Sequence, residues 1–179
     1  MCHYITLVAP TEDVAALREV MERHGRAAHP IANPSVKKVL RGDERQYLTA
    51  RASCDCGTIL AHQPETSDEV EERLGKEAAR LRRKGWSEAK IARAMEERRR
   101  ADARPGRPGP DSIELWKDVM RDLGHELKVS HVGFLVRLYS GALDTEVFNA
   151  TRRDVPKGAP WDQALASMAA DEVTIFRLG

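Results

Sequence analysis

Cys2, Cys54 and Cys56 are the residues of this sequence best suited to chemistry, and they are its only cysteines. Thiolates bind zinc, and two cysteines close in sequence supply half of a tetrahedral site. Cys54 and Cys56 are separated by one residue and followed by Gly57, whereas zinc ribbons and knuckles more often separate the pair by two. The pair therefore gains meaning from Cys2, provided that the strand Cys2 begins lies beside the chain near Cys54. His3, His62 and His131 are candidate fourth ligands, which makes Cys2, Cys54, Cys56 and His131 the candidate metal set. No second Cys-x₂-Cys or His-x₃-His pair is present, so distant segments would have to assemble the site. Free cysteine is also among the most buried residue types, and thiols serve redox and catalytic chemistry as well. The spacing does not choose among these three readings. A Cys54–Cys56 disulfide is disfavoured, because so small a loop strains the bond.

Cys2 has a second reading. Removal of Met1 would leave amine and thiol on one carbon, an arrangement that can act as nucleophile plus base. In that start the chain resembles class II glutamine amidotransferases and the abasic-site-processing SRAP proteins. The resemblance covers only Met1-Cys2 and implies an enzyme with Cys2 as nucleophile; His131 and His3 are the candidate bases in this chain. Both families usually place glycine after the cysteine, where this chain has His3. The SRAP element like His-Gly-x-Met-Pro is missing: His24-Gly25-Arg26 and His131-Val132-Gly133 lack the Met-Pro. No phosphate loop, Gly-x-Ser-x-Gly elbow, dinucleotide fingerprint or paired-carboxylate motif occurs either.

A third feature is local charge. From Arg80 to Arg107 eleven cations face only Glu88, Glu96, Glu97 and Asp102, enough to attract a phosphate backbone or an acidic protein face. Arg83, Lys84, Arg98, Arg99 and Arg100 are the candidate partner-binding residues. The stretch LRRKGWSEAKIARAMEER resembles helix-turn-helix sequences in its Gly-x-Ser-x-x-x-Ile-Ala pattern, but after Met95 no turn and recognition helix follow. The reading favoured over a polyanion site is a solvated helix face laced with ion pairs, such as Glu88 with nearby cations. Over the whole chain 29 basic residues nearly cancel 28 acidic ones, so net charge implies no polyanionic partner.

The scaffold that must position these residues reads as one α+β domain of 179 residues. It is expected to have a mainly antiparallel sheet with helices packed on a face. Strands are expected at 4–8, 46–53, 129–139, 146–150 and 173–178. Helices are expected from Thr11 (as N-cap) to Gly25, from Ser67 to Gly85, from Ser87 to about Ala101, from Asp111 or Ser112 to Gly124, and over 161–170. Residues 27–34 read as loop. Three prolines within 104–110 mark a linker, so residues 66–110 read as a charged helical hairpin inserted in the main fold. His24 and His125 near helix C-termini complement the dipole, and Trp86, Trp116 and Trp161 read as core. No stretch approaches the roughly 18 apolar residues of a membrane helix, and the first ten residues lack a basic leader and a cleavage site. With so few cysteines, cytoplasmic residence and no membrane partner are expected.

Met1-Cys-His-Tyr-Ile-Thr-Leu-Val-Ala-Pro10, Tyr47-Leu-Thr and Cys54-Asp-Cys-Gly-Thr58, joined by Lys84-Gly-Trp-Ser-Glu88, resemble a set of uncharacterised bacterial proteins. These share a Met-Cys start and a later Cys-Asp-Cys-Gly element. The resemblance implies a bacterial origin and a characteristic cysteine cluster, and carries no activity. The function expected is a non-catalytic binding protein, immunity-like or an adaptor, recognising a protein partner through the charged hairpin and carrying a structural zinc. The alternative is an enzyme using Cys2, and nucleic-acid binding through the basic hairpin stands third.

Overall fold

The computed structural model describes residues 2–51, 53–61, 67–102 and 111–178, without the side chains of 67–70, 72, 73 and 100–102. The chain divides into two compact units, residues 1–63 with 110–179, and residues 64–109. The first unit is α+β, built on a six-stranded, mainly antiparallel sheet.

At its centre lies β1 (Cys2–Ala9), antiparallel to both β3 (Arg45–Leu48) and β4 (His131–Tyr139). The three-residue β2 (His29–Ile31) extends the sheet beyond β3. On the other side β6 (Glu172–Arg177) pairs antiparallel with β4, and β5 (Thr151–Asp154) closes the edge in parallel with β6. Central strands covered on both faces must be apolar on both faces, and Ile5–Ala9 and Val132–Val136 are buried without alternation. On one face Ile5, Leu7, Phe134 and Phe176 meet α1 (Val14–Arg23), α5 (Ile113–Glu126) and α6 (Trp161–Ala166). Trp116 of α5 packs edge-on against Phe134, with ring centroids 5.0 Å apart. On the other face Val8, Leu135, Val173 and Ile175 are covered by Val36 of α2 (Pro34–Lys37) and by Phe148. Burying each such large apolar side chain contributes about 1.5–3 kcal/mol.

Several elements depart from the sequence reading, each for a local reason. Asp13, not Thr11, caps α1 by accepting from the Ala16 amide at 3.0 Å, while Thr11 Oγ1 accepts from the Asp13 amide. Residues 27–34 are not all loop: they hold β2 and Asn33, whose side chain caps α2 through the Ser35 and Val36 amides. Gly124 does not stop α5, which runs to Glu126; Leu178 packs at the glycine, 3.3 Å from where a Cβ would stand. Residues 146–150 form no strand, and two of their main-chain groups, the Glu146 carbonyl and the Phe148 amide, are bonded to side chains instead. Asn33 Nδ2 donates to the carbonyls of Leu143 and Glu146, and the Phe148 amide donates to Ser35 Oγ. The edge strand comes next, at Thr151–Asp154, and α6 ends at Ala166.

The second unit contains α3 (Ser67–Arg83) and α4 (Glu88–Asp102), joined through Gly85 at φ +78°. Leu74, Leu81, Ile91 and Met95 form a small core of its own, with Trp86 packed against it. The 104–110 linker lies outside the described residues. Among those described, no helix is long and apolar enough to cross a membrane.

Candidate metal centre

Strand β3 ends at Leu48 rather than continuing to Ser53, and this early ending makes the site. Thr49 still bonds β1, its amide and Oγ1 both donating to the Ile5 carbonyl. The chain then makes an excursion and returns at Asp55, whose amide donates to the His3 carbonyl at 2.8 Å. The Asp55 side chain takes over the lost ladder: Oδ2 accepts from the Ile5 amide at 2.8 Å. Held against the first residues of β1 in this way, Cys54 and Cys56 meet Cys2.

The three sulfurs all lie within 4.8 Å of one another, close enough to share one metal ion. Sulfurs around a tetrahedral zinc with ~2.3 Å bonds stand about 3.8 Å apart, so modest side-chain rotation closes the set. Cys56 is exposed, and Cys2 and Cys54 are half-buried. Main-chain donors already point at sulfur. The His3 amide donates to Cys56 Sγ at 3.2 Å, and the Cys56 amide with neighbouring thiols holds Cys54 below its ordinary pKa. Cys2 moves the other way, pushed up chiefly by its hydrogen bond with Cys54.

The loop rests on a buried polar network. Asp55, fully buried, forms an ion pair with Arg26, and Arg26 Nη1 lies 3.5 Å from Asp111. The Arg26 guanidinium stacks over Trp116 at 4.3 Å. Asp111 accepts from Trp116 Nε1 at 3.0 Å and from the Ile59 amide at 2.7 Å. Burial pushes the Asp55 carboxyl up and the Arg26 guanidinium down, in each case against the pull of the opposite charge.

His131 does not join the cysteines. Cys2 lies opposite Tyr139 on β4, whereas His131 begins that strand, roughly 25 Å away at the rise of a β-strand. Its Nε2 instead meets Glu44 Oε1 at 2.8 Å and its Nδ1 meets Ser130 Oγ at 2.9 Å. The same Glu44 carboxylate takes two bonds from Arg152, at 2.8 and 3.0 Å. Burial alone would raise Glu44, but Arg152, the Arg41 amide and His131 outweigh it and hold the carboxyl below its usual range. This ties together the polar ends of β3, β4 and β5, and it also removes His131 as a base for Cys2. His3 contributes its amide to the site, and its half-buried ring is lowered in pKa by desolvation. His62 lies outside the described residues.

The basic helices are charge-paired. Over Ser67–Asp102 eleven basic residues accompany nine acidic ones, because the acidic half of α3 lies upstream of the basic window. Arg99 makes two bonds to Glu71 at 2.8 and 3.0 Å, Arg98 pairs with Glu77, and Arg82 pairs with Glu88. Arg83 and Lys84 are exposed at the turn and have no ion-pair partner among the described residues. The side chain of Arg100 is outside the description.

Comparison with protein-family models, curated proteins and solved structures finds no match to this chain.

Proposed function

We propose that the chain is a non-catalytic binding protein that carries zinc on Cys2, Cys54 and Cys56 and engages a protein partner through α3 and α4. The observation that carries this reading is the convergence of three sulfurs from segments about fifty residues apart on one 4.8 Å cluster. Main-chain donors aimed at sulfur are the environment a bound thiolate needs. For the partner, support comes from an exposed, charge-rich helix pair with its own small core, and from Arg83 and Lys84 standing unpaired among the described residues. A partner of acidic surface suits that turn.

Catalysis by Cys2 gains less support. Of the two histidines read as its base, His131 is bound to Glu44 at the far end of β4. Nucleic-acid binding is weakened by the carboxylates that occupy Arg98 and Arg99.

The test is affinity capture from the source cell with the wild-type chain and with R83E/K84E. A stoichiometric protein retained by the first and lost from the second supports the reading, and no stoichiometric partner removes it.

A further inference from the structure

Cys54 and Cys56 flank Asp55 in sequence, yet the aspartate is the residue that is buried. Its polar groups are committed to the protein. The amide donates to the His3 carbonyl, and the carbonyl accepts from the Thr58 amide and Oγ1. The carboxylate accepts from the Ile5 amide and from Arg26. Four residues further on, the Ile59 amide is anchored to Asp111, which is itself bonded to the Trp116 indole. The loop that carries Cys56 is therefore fastened at both ends without any sulfur taking part. Cys2 is placed by the ladder of β1 with β4, which begins at Cys2 opposite Tyr139.

In a domain stapled by metal the ligand loops are ordered by the ion, and binding free energy is folding free energy. Here a buried ion pair and main-chain hydrogen bonds do that ordering. Resting on the reading that these cysteines hold zinc, we infer that the centre is preformed and exchangeable, with Asp55 as its positioning residue. Zinc enters and leaves it with the fold intact, by exchange with small thiols in solution. The exposed Cys56 and half-buried Cys2 and Cys54 let such a thiol reach the ion. As the incoming thiol binds zinc it gives up its proton, and the displaced cysteine thiolate takes that proton up.

The experiment uses the zinc-loaded full chain titrated with EDTA, following bound zinc by mass spectrometry and tertiary structure by near-ultraviolet circular dichroism. Zinc should fall from one per chain to none while the tryptophan signal is unchanged, and re-addition should restore it. Asp55→Asn should lower zinc affinity ~10–100-fold, as loss of a residue that orients metal ligands does. Because that variant also disturbs Arg26, Thr58→Val provides a milder removal of one bond to the Asp55 carbonyl, with a smaller fall expected. A chain that binds zinc but loses tertiary structure with it overturns the inference alone. So do T58V and D55N chains that bind zinc as tightly as the wild type. A chain that never binds zinc removes the metal reading, and this inference with it.

Discussion

The Asp55 carboxylate and the Arg26 guanidinium form an ion pair with side chains 0% and 1% exposed, one residue from each of two cysteines. Among the described residues Arg26 Nε and Nη1 find no hydrogen-bond partner, although Asp111 lies nearby. Such a pair contributes little net stability over apolar replacements, but removing one partner strands the other charge in the core. It fixes where the cysteine loop meets β1.

Arg26→Met should therefore cost ~3–5 kcal/mol. Urea unfolding is the check: the midpoint should fall with the slope preserved. A loss no larger than that of an exposed arginine would show that Asp55 is adequately held by the Ile5 amide alone.

Gly133 sits where β1, β4 and β6 crowd together. A Cβ there would lie 2.4 Å from Ile175 Cδ1 and 3.2 Å from both Val173 Cγ1 and Val8 Cβ. Gly133→Ala should destabilise by ~1–3 kcal/mol, the usual cost of overpacking. The thermal midpoint reads this directly.

The same glycine shows what the sequence reveals and what it conceals. The run around Gly133 is apolar on both faces, so a central strand was legible, as were β1, β6 and the stripe of α5. Strand β5 was not. Thr-Arg-Arg-Asp has no apolar alternation and is held by the pairing of Arg152 with Glu44 and of Arg153 with Glu172. The three cysteines stood out by residue type, but their meeting depends on register, and that depends on Asp55 replacing a ladder bond. Arg26 and Asp111 carried no signal of a shared role, since the contacts joining them to Asp55 span 29 and more residues. His131 was misplaced for the converse reason: sequence ranks a strand histidine by type, while the sheet puts it at the opposite end from Cys2. Within the basic window only four acidic residues are visible, and the partners of Arg98 and Arg99, Glu77 and Glu71, lie just before it.

Glu146 carries a pH dependence. Hydrogen bonds from Arg137, aided by the Ser140 and Gly141 amides, hold its carboxyl at about 2. A carboxyl depressed in the folded state stabilises above its unfolded value of ~4.3 and loses that contribution as pH falls toward 2. Glu146→Gln should thus be less stable than the wild type at neutral pH. The gap should narrow between about pH 4.5 and 2, as followed by urea midpoints. A gap independent of pH would mean that the charge of Glu146 is not what pins residues 140–148.

Internal pairing of the basic helices should make nucleic-acid affinity weak. At ~0.15 M salt the wild-type chain should not shift a duplex or a single strand, whereas E71Q/E77Q, which frees Arg99 and Arg98, should bind more tightly. Tight, salt-sensitive binding by the wild type that is lost in R98Q/R99Q would return nucleic acid as the partner.

The proposed metal centre requires Cys2, Cys54 and Cys56 to hold one ion together. Native mass spectrometry of the reduced chain, purified without added metal and then given equimolar zinc, tests it most directly. One zinc per chain is expected, with the ion lost from C2S and from C54S/C56S while both variants keep the wild-type fold. A reduced, folded wild-type chain that takes up no zinc, or a C2S chain that holds it as tightly as the wild type, would contradict the claim.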